Sequence, residues 1–127
     1  PWGLQSAAIR FKNSLQENAK IHTISEDMIE ACHNGIVPWE NKTNVQPILI
    51  QGYDDYIKTK ERWKIFKEFL QSRQIYFKEI NSGQGNILSK IMYLIYLLDY
   101  STIYHAIESR MDPTPVKSIE FIKKHLK

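Results

Sequence analysis

Few of the side chains in this sequence that could carry chemistry are spaced as the familiar sites require. His22, His33, His105 and His125 lack the intervals of a metal-binding set and no nucleotide motif is present, so neither a metal nor an organic cofactor is expected. Gly83-Gln84-Gly85 has two glycines of a phosphate-binding turn but no third, which leaves a plain turn. Cys32 beside His33 has the composition of a thiol and its base, yet neighbours on a helix point about 100° apart, a poor geometry for pairing. Glu17 lies two residues past Leu15, about 200° round a helical wheel from it, and therefore faces away from its own helix's core. A carboxylate there is either solvated or open to a substrate. His33, at a helix end, would cap, pack or serve as an acid-base group. Lys117, Lys123, Lys124 and Lys127 crowd the C-terminal segment as a solvated face or a basic patch.

The elements that must position these groups follow from periodicity. Leu4, Ala8, Phe11 and Leu15 recur at helical spacing opposite Arg10, Lys12, Asn13 and Glu17, which predicts an amphipathic helix. Ser25 is the expected N-cap of a short helix that carries Glu26 and Asp27 in its first turn and stops near Asn34-Gly35. Residues 36–44 read as a loop. The apolar run Pro47 to Gln51 predicts a strand covered on both faces, and Ile75 to Ile80 a second. Between them, Thr59 is the expected cap of a helix with Trp63, Phe66, Phe69 and Leu70 in one stripe. A long helix from about Asn86 is apolar nearly all round and is expected to be central. Thr114 and Pro115 are expected to cap and open a last helix, with Val116, Ile119, Ile122 and Leu126 facing inward. Strands separated by helices imply a parallel sheet, hence an α/β fold. Two strands are few for so many apolar helices, and one strand is expected to be missing.

Composition narrows the classes. A chain of 127 residues with 43% hydrophobic and 12% aromatic residues builds one packed core rather than a disordered segment. The net charge of +3 is mild for a dedicated nucleic-acid binder, although the isoelectric point near 9.0 keeps that class open. A single cysteine excludes an internally bridged mini-protein and favours a reducing, cytoplasmic address. The longest apolar run, Ile91 to Leu98, falls far short of the roughly 20 residues that span a bilayer. Pro1-Trp2-Gly3-Leu4 has neither an initiator Met nor the regions of a signal peptide, and the chain is expected to be a fragment.

Several short segments then matter by their order: Ala7-Ala8 with Arg10 and Lys12, Gln16-Glu17-Asn18-Ala19-Lys20, His33-Asn34, Lys58-Thr59 with Arg62, Leu98-Asp99-Tyr100, and Asp112-Pro-Thr-Pro115 leading to Ile119 and Lys123. Together they resemble the C-terminal half of the bifunctional phosphoglucose/phosphomannose isomerase family, two-domain proteins built from sugar isomerase (SIS) domains. The resemblance implies that residues 1–127 form a C-terminal SIS-like domain, a three-layer, flavodoxin-like α/β unit whose first strand precedes this chain. It further implies aldose-ketose isomerisation between glucose 6-phosphate or mannose 6-phosphate and fructose 6-phosphate through a cis-enediol. Glu17 would be the base that moves a proton between C2 and C1, His33 would open and close the sugar ring, Lys123 would assist, and Thr114 would meet the sugar. One carboxylate that takes a proton from carbon and returns it to the neighbouring carbon suits that shift. Lys124, adjacent, competes with Lys123 for its role.

The sequence departs from the family pattern where His33-Asn34-Gly35 replaces His-Asn-Glu and where Gln16 replaces Asn. The phosphate-holding hydroxyls of the N-terminal SIS domain are absent, so the chain alone is expected to lack isomerase activity. The resemblance also implies a homodimer with a shared site, the Glu30 to Trp39 segment near the contact and Trp2 beside an incomplete sheet edge. Two rival readings stand: a non-catalytic SIS-type domain that binds sugar phosphate or serves assembly, and a nucleic-acid module whose binding would weaken with salt. Sugar phosphate is the expected small-molecule partner, without nucleic acid or membrane.

Overall fold

Residues 2–126 are described in a computed structural model, Trp2 by its backbone alone. The expectation that Trp2 flanks a sheet edge therefore concerns a side chain outside the described residues. Among the described residues five α-helices, α1 (Gln5–Asn18), α2 (Met28–Glu30), α3 (Ile57–Ser72), α4 (Ile87–Glu108) and α5 (Lys117–His125), accompany two strands, β1 (Ile48–Gln51) and β2 (Lys78–Asn81). The strands pair in parallel, Ile48 opposite Lys78 through Gln51 opposite Asn81, and α3 makes the crossover that a parallel pair requires.

Alternation along the strands produces three layers. Ile50 and Ile80 point to one face, where they meet Leu4, Ala7 and Phe11 at the start of the chain and in α1, together with Leu94 and Leu98 of α4. Leu49 points to the other, against Phe66 and Leu70 of α3 and the side chains of Met28, Ala31, Cys32, Ile36 and Trp39. The expected α/β sandwich is thus present, with a sheet of two strands among the described residues. Leu70, Leu94 and Leu98 are fully buried, each contributing about 1.5–3 kcal/mol over an exposed position. The buried Lys90 ammonium pairs with Asp54, which holds that carboxyl below its usual range, and Tyr53 N–H donates to Ser82 Oγ at 3.0 Å.

Several boundaries differ from the sequence reading. The cap of the second helix is Asp27, not Ser25, because its Oδ1 accepts from the N–H groups of Ile29 (2.8 Å) and Glu30 (3.2 Å). The chain then continues through a π-helical turn at Ala31–Gly35 and a 3₁₀ turn at Val37–Glu40, in place of a loop from residue 36, as Trp39 packs toward α3. Thr59 lies inside the first turn of α3, since the Tyr56 carbonyl already accepts its N–H at 2.8 Å. The second strand begins at Lys78: Gln74 is left-handed and Ile75 N–H returns to the Leu70 carbonyl, which completes the helix stop first. Only one stripe of α4 is buried, Lys90, Leu94, Leu98, Thr102 and Ala106, at the four-residue spacing of a single face. Tyr93, Tyr96, Leu97, Tyr100 and Tyr104 on its remaining faces are exposed, so α4 is not enclosed all round.

Candidate functional site

The end of α1 is held against α4 by a polar network. Arg10 donates to both oxygens of Asp99, Nε to Oδ1 at 3.2 Å and to Oδ2 at 2.9 Å and Nη2 to Oδ2 at 2.6 Å, while Ser14 Oγ donates to Oδ1 at 3.1 Å. Asn18 Nδ2 donates to Thr102 Oγ1 at 2.8 Å, and that hydroxyl donates to the Asp99 carbonyl at 2.8 Å. With this side of the helix committed, Glu17 is left exposed, and its carboxylate makes no hydrogen bond or ion pair among the described residues.

Just beyond, the chain turns at Lys20 with φ 57°, a left-handed conformation that costs a non-glycine residue roughly 1 kcal/mol. The turn returns Ile21 N–H to the Leu15 carbonyl and aims the lysine side chain across a gap in sequence. Its ammonium donates to three carbonyls, those of Glu17 (2.5 Å), Pro113 (3.3 Å) and Pro115 (2.8 Å). A shallow depression results, bounded on the α1 side by Gln16, Glu17 and Lys20 and on the other by Asp112, Lys117 and Ser118. Asp112 Oδ1 accepts the Thr114 N–H at 2.9 Å. That backbone bond first, then the Thr114 hydroxyl and the Lys20 charge, hold the Asp112 carboxyl below its usual range.

Thr114 therefore does not cap α5. Its N–H is taken by Asp112 and the flanking carbonyls by Lys20, so the segment stays in a turn and the helix opens at Lys117 behind Val116. Nor do Val116, Ile119, Ile122 and Leu126 form a buried stripe, for α5 has no buried residue. The structure brings Glu17 together with the Asp112 to Ser118 segment; Thr114, Lys123 and His33 are not among the residues lining the depression. Lys123 and Lys124 are both exposed on α5.

His33 is exposed on the π-helical turn across the sheet from α1, carried by Cys32 and Ile36, which pack into the α3 cluster. The Cys32 thiol is pushed up by burial, partly offset by the Arg62 charge, so it is no activated nucleophile. At Gly35 a Cβ would fall 2.1 Å from Glu26 Oε2. A carboxylate thus lies where a side chain at position 35 would emerge, although it comes from Glu26. Among the described residues no group of histidine, cysteine and acidic side chains has the arrangement to hold a metal ion.

A family model described as the bacterial phospho-glucose isomerase C-terminal SIS domain matches residues 1–126. The chain belongs to that family. It is similar to the bifunctional phosphoglucose/phosphomannose isomerase of Aquifex aeolicus (strain VF5), 31% identical over 124 residues, covering 94% of this chain and 38% of that protein. The protein of the same description from Thermoplasma acidophilum is 31% identical over 123 residues, covering 96% of this chain and 39% of that protein. That from Caldicellulosiruptor bescii is 29% identical over 123 residues, with 94% and 36% covered. The chain spans less than half the length of these relatives. No solved structure matches.

Membership in a sugar isomerase domain family directs attention to groups that sequence reasoning left without a role. Lys20, Lys117 and Ser118 border the depression beside Glu17. Lys20 was visible within the Gln16 to Lys20 segment, but nothing in spacing shows a side chain reaching residues 113 and 115.

Proposed function

We propose that this chain is the C-terminal SIS-like domain of an aldose-ketose isomerase that interconverts glucose 6-phosphate or mannose 6-phosphate with fructose 6-phosphate. The observation that carries the reading is the Glu17 carboxylate, exposed and unpartnered among the described residues, at the rim of a depression walled by the Asp112 to Ser118 segment. An unpaired carboxylate is free to take the C2 proton and return it to C1 through a cis-enediol. Thr114 would meet the sugar and Lys123 would assist.

His33 lies on the other face of the sheet from α1 and would serve a neighbouring subunit's site, opening the sugar ring there in a homodimer. The Glu26 carboxylate packed on Gly35 speaks against reading the missing family glutamate as a sign of lost activity. Phosphate would be held by a further SIS domain, so that residues 1–127 alone do not turn over substrate, and the address would be cytoplasmic. No helix among the described residues is long and apolar enough to cross a membrane.

A coupled assay for fructose 6-phosphate formation by the full-length protein tests this. Parental turnover should fall by about 10² or more in Glu17→Gln, the usual contribution of a general base. Full activity in that variant, or no turnover in the parent, would overturn the assignment.

A further inference from the structure

The placement of α5 beside Glu17 needs an explanation, because the helix buries no side chain of its own. Apolar packing cannot fix it. The connection that spans the gap is the Lys20 ammonium, whose donors number three and whose acceptors are the three carbonyls of Glu17, Pro113 and Pro115. The first belongs to the C-terminal turn of α1, where carbonyls lack helical partners and a cation is favoured. The other two belong to a segment more than 90 residues later that leads directly into Lys117 and Ser118. Neither proline can donate a backbone N–H, so its carbonyl is the only main-chain handle it offers.

We propose that Lys20 is a positioning residue that locks the Asp112 to Pro115 turn and the head of α5 onto the helix end bearing Glu17. It rests on the isomerase reading above for its consequence in catalysis, though not for its effect on structure. Lys20 touches no reacting atom. Its side chain sets the distance between the base and the opposite wall of the depression, while the left-handed backbone at residue 20 aims that side chain across. Asp112 shares the arrangement, since its carboxyl feels the Lys20 charge and holds Thr114 N–H in the same turn.

The test compares Lys20→Met, Lys20→Arg and Lys20→Gly in the full-length protein, reading amide exchange at Thr114, Ile119 and Glu120, whose N–H groups are bonded within the turn and the head of α5, together with kcat and KM. Lys20→Met should speed exchange at those amides at least about tenfold while α1 and α4 keep their protection. It should lower kcat about tenfold or more, as a small misplacement of a catalytic group does, with KM changed less. Lys20→Gly relieves the strained backbone but should show the same losses, and it replaces Lys20→Met if that variant fails to fold. Lys20→Arg, which still offers several donors, should recover most of both readouts. Unchanged exchange at Thr114, Ile119 and Glu120 in Lys20→Met or Lys20→Gly would overturn the proposal whatever the activity. Lost protection together with a Glu17→Gln variant that stays active would instead uphold the lock and remove the isomerase reading.

Discussion

Thr102→Val isolates the contact that pins the end of α1. Thr102 is fully buried, and its hydroxyl both accepts from Asn18 Nδ2 and donates to the Asp99 carbonyl, each at 2.8 Å. Valine matches threonine in volume, so no cavity opens, and the whole effect comes from the lost hydroxyl. The Asp99 carbonyl lies within α4 and keeps its helical role; the Asn18 amide loses its partner one residue from Glu17. Leaving a buried donor unsatisfied costs about 1–3 kcal/mol, and because Asn18 is only half-buried the lower part of that range applies, about 1–2 kcal/mol. At about 4 °C per kcal/mol for a domain of this size, the midpoint should drop by roughly 4–8 °C. Thr102→Ser keeps the hydroxyl and gives up one methyl, about 1 kcal/mol. A double-mutant cycle with Asn18→Ala, followed by urea unfolding, should give a coupling of about 0.5–1.5 kcal/mol. A cycle that closes to zero, or a Thr102→Val variant as stable as the parent, would refute the pinning of α1 through this hydroxyl.

Arg10→Met should lower the unfolding midpoint by less than Thr102→Val does, because the Arg10 side chain is 55% exposed, and the difference should shrink in about 1 M salt; a large, salt-independent loss would contradict this. The Asp112 carboxyl is held low in the folded protein by Thr114 and Lys20, so it stabilises the fold above the ordinary carboxylate range and that contribution is lost as pH falls through its folded value. Carbon-detected NMR titration should place its midpoint below that of a free aspartate and move it upward in Lys20→Met; a midpoint at the free value would count against the turn. Cys32, raised by burial, should alkylate at neutral pH more slowly than an unstructured cysteine peptide and accelerate only above the ordinary thiol range. Equal rates would show the thiol to be more open than its packing implies.

The layers were legible because their signals are local. The stripe of α1, the two apolar strand segments and the α3 stripe each state a period and a face, and the parallel sheet between helices follows from their alternation. Helix ends were less legible, because capping is a competition among neighbouring acceptors. Asp27 outcompetes Ser25, and at the last helix Thr114 loses its capping position to a turn closed by Asp112 and by Lys20. Apolar composition also overstated enclosure: the tyrosines of α4 and the isoleucines of α5 are exposed despite their spacing. For the site, Glu17 could be read as facing off its helix from Leu15 alone. What stands opposite it could not, since the Lys20 bridge joins residues far apart in the chain and only folding makes them neighbours.

Solvent deuterium exchange tests the central claim most directly. The full-length protein is incubated in deuterated water with fructose 6-phosphate, and the label at C2 of the aldose product is read by NMR, because a base that carries the proton between the two carbons equilibrates it with solvent. The parent should incorporate deuterium at C2, and Glu17→Gln should lose that incorporation by about 10² or more while still binding the sugar phosphate. Retention of more than about a tenth of the parental exchange, against the usual contribution of a general base, would show that Glu17 is not the group that moves the proton.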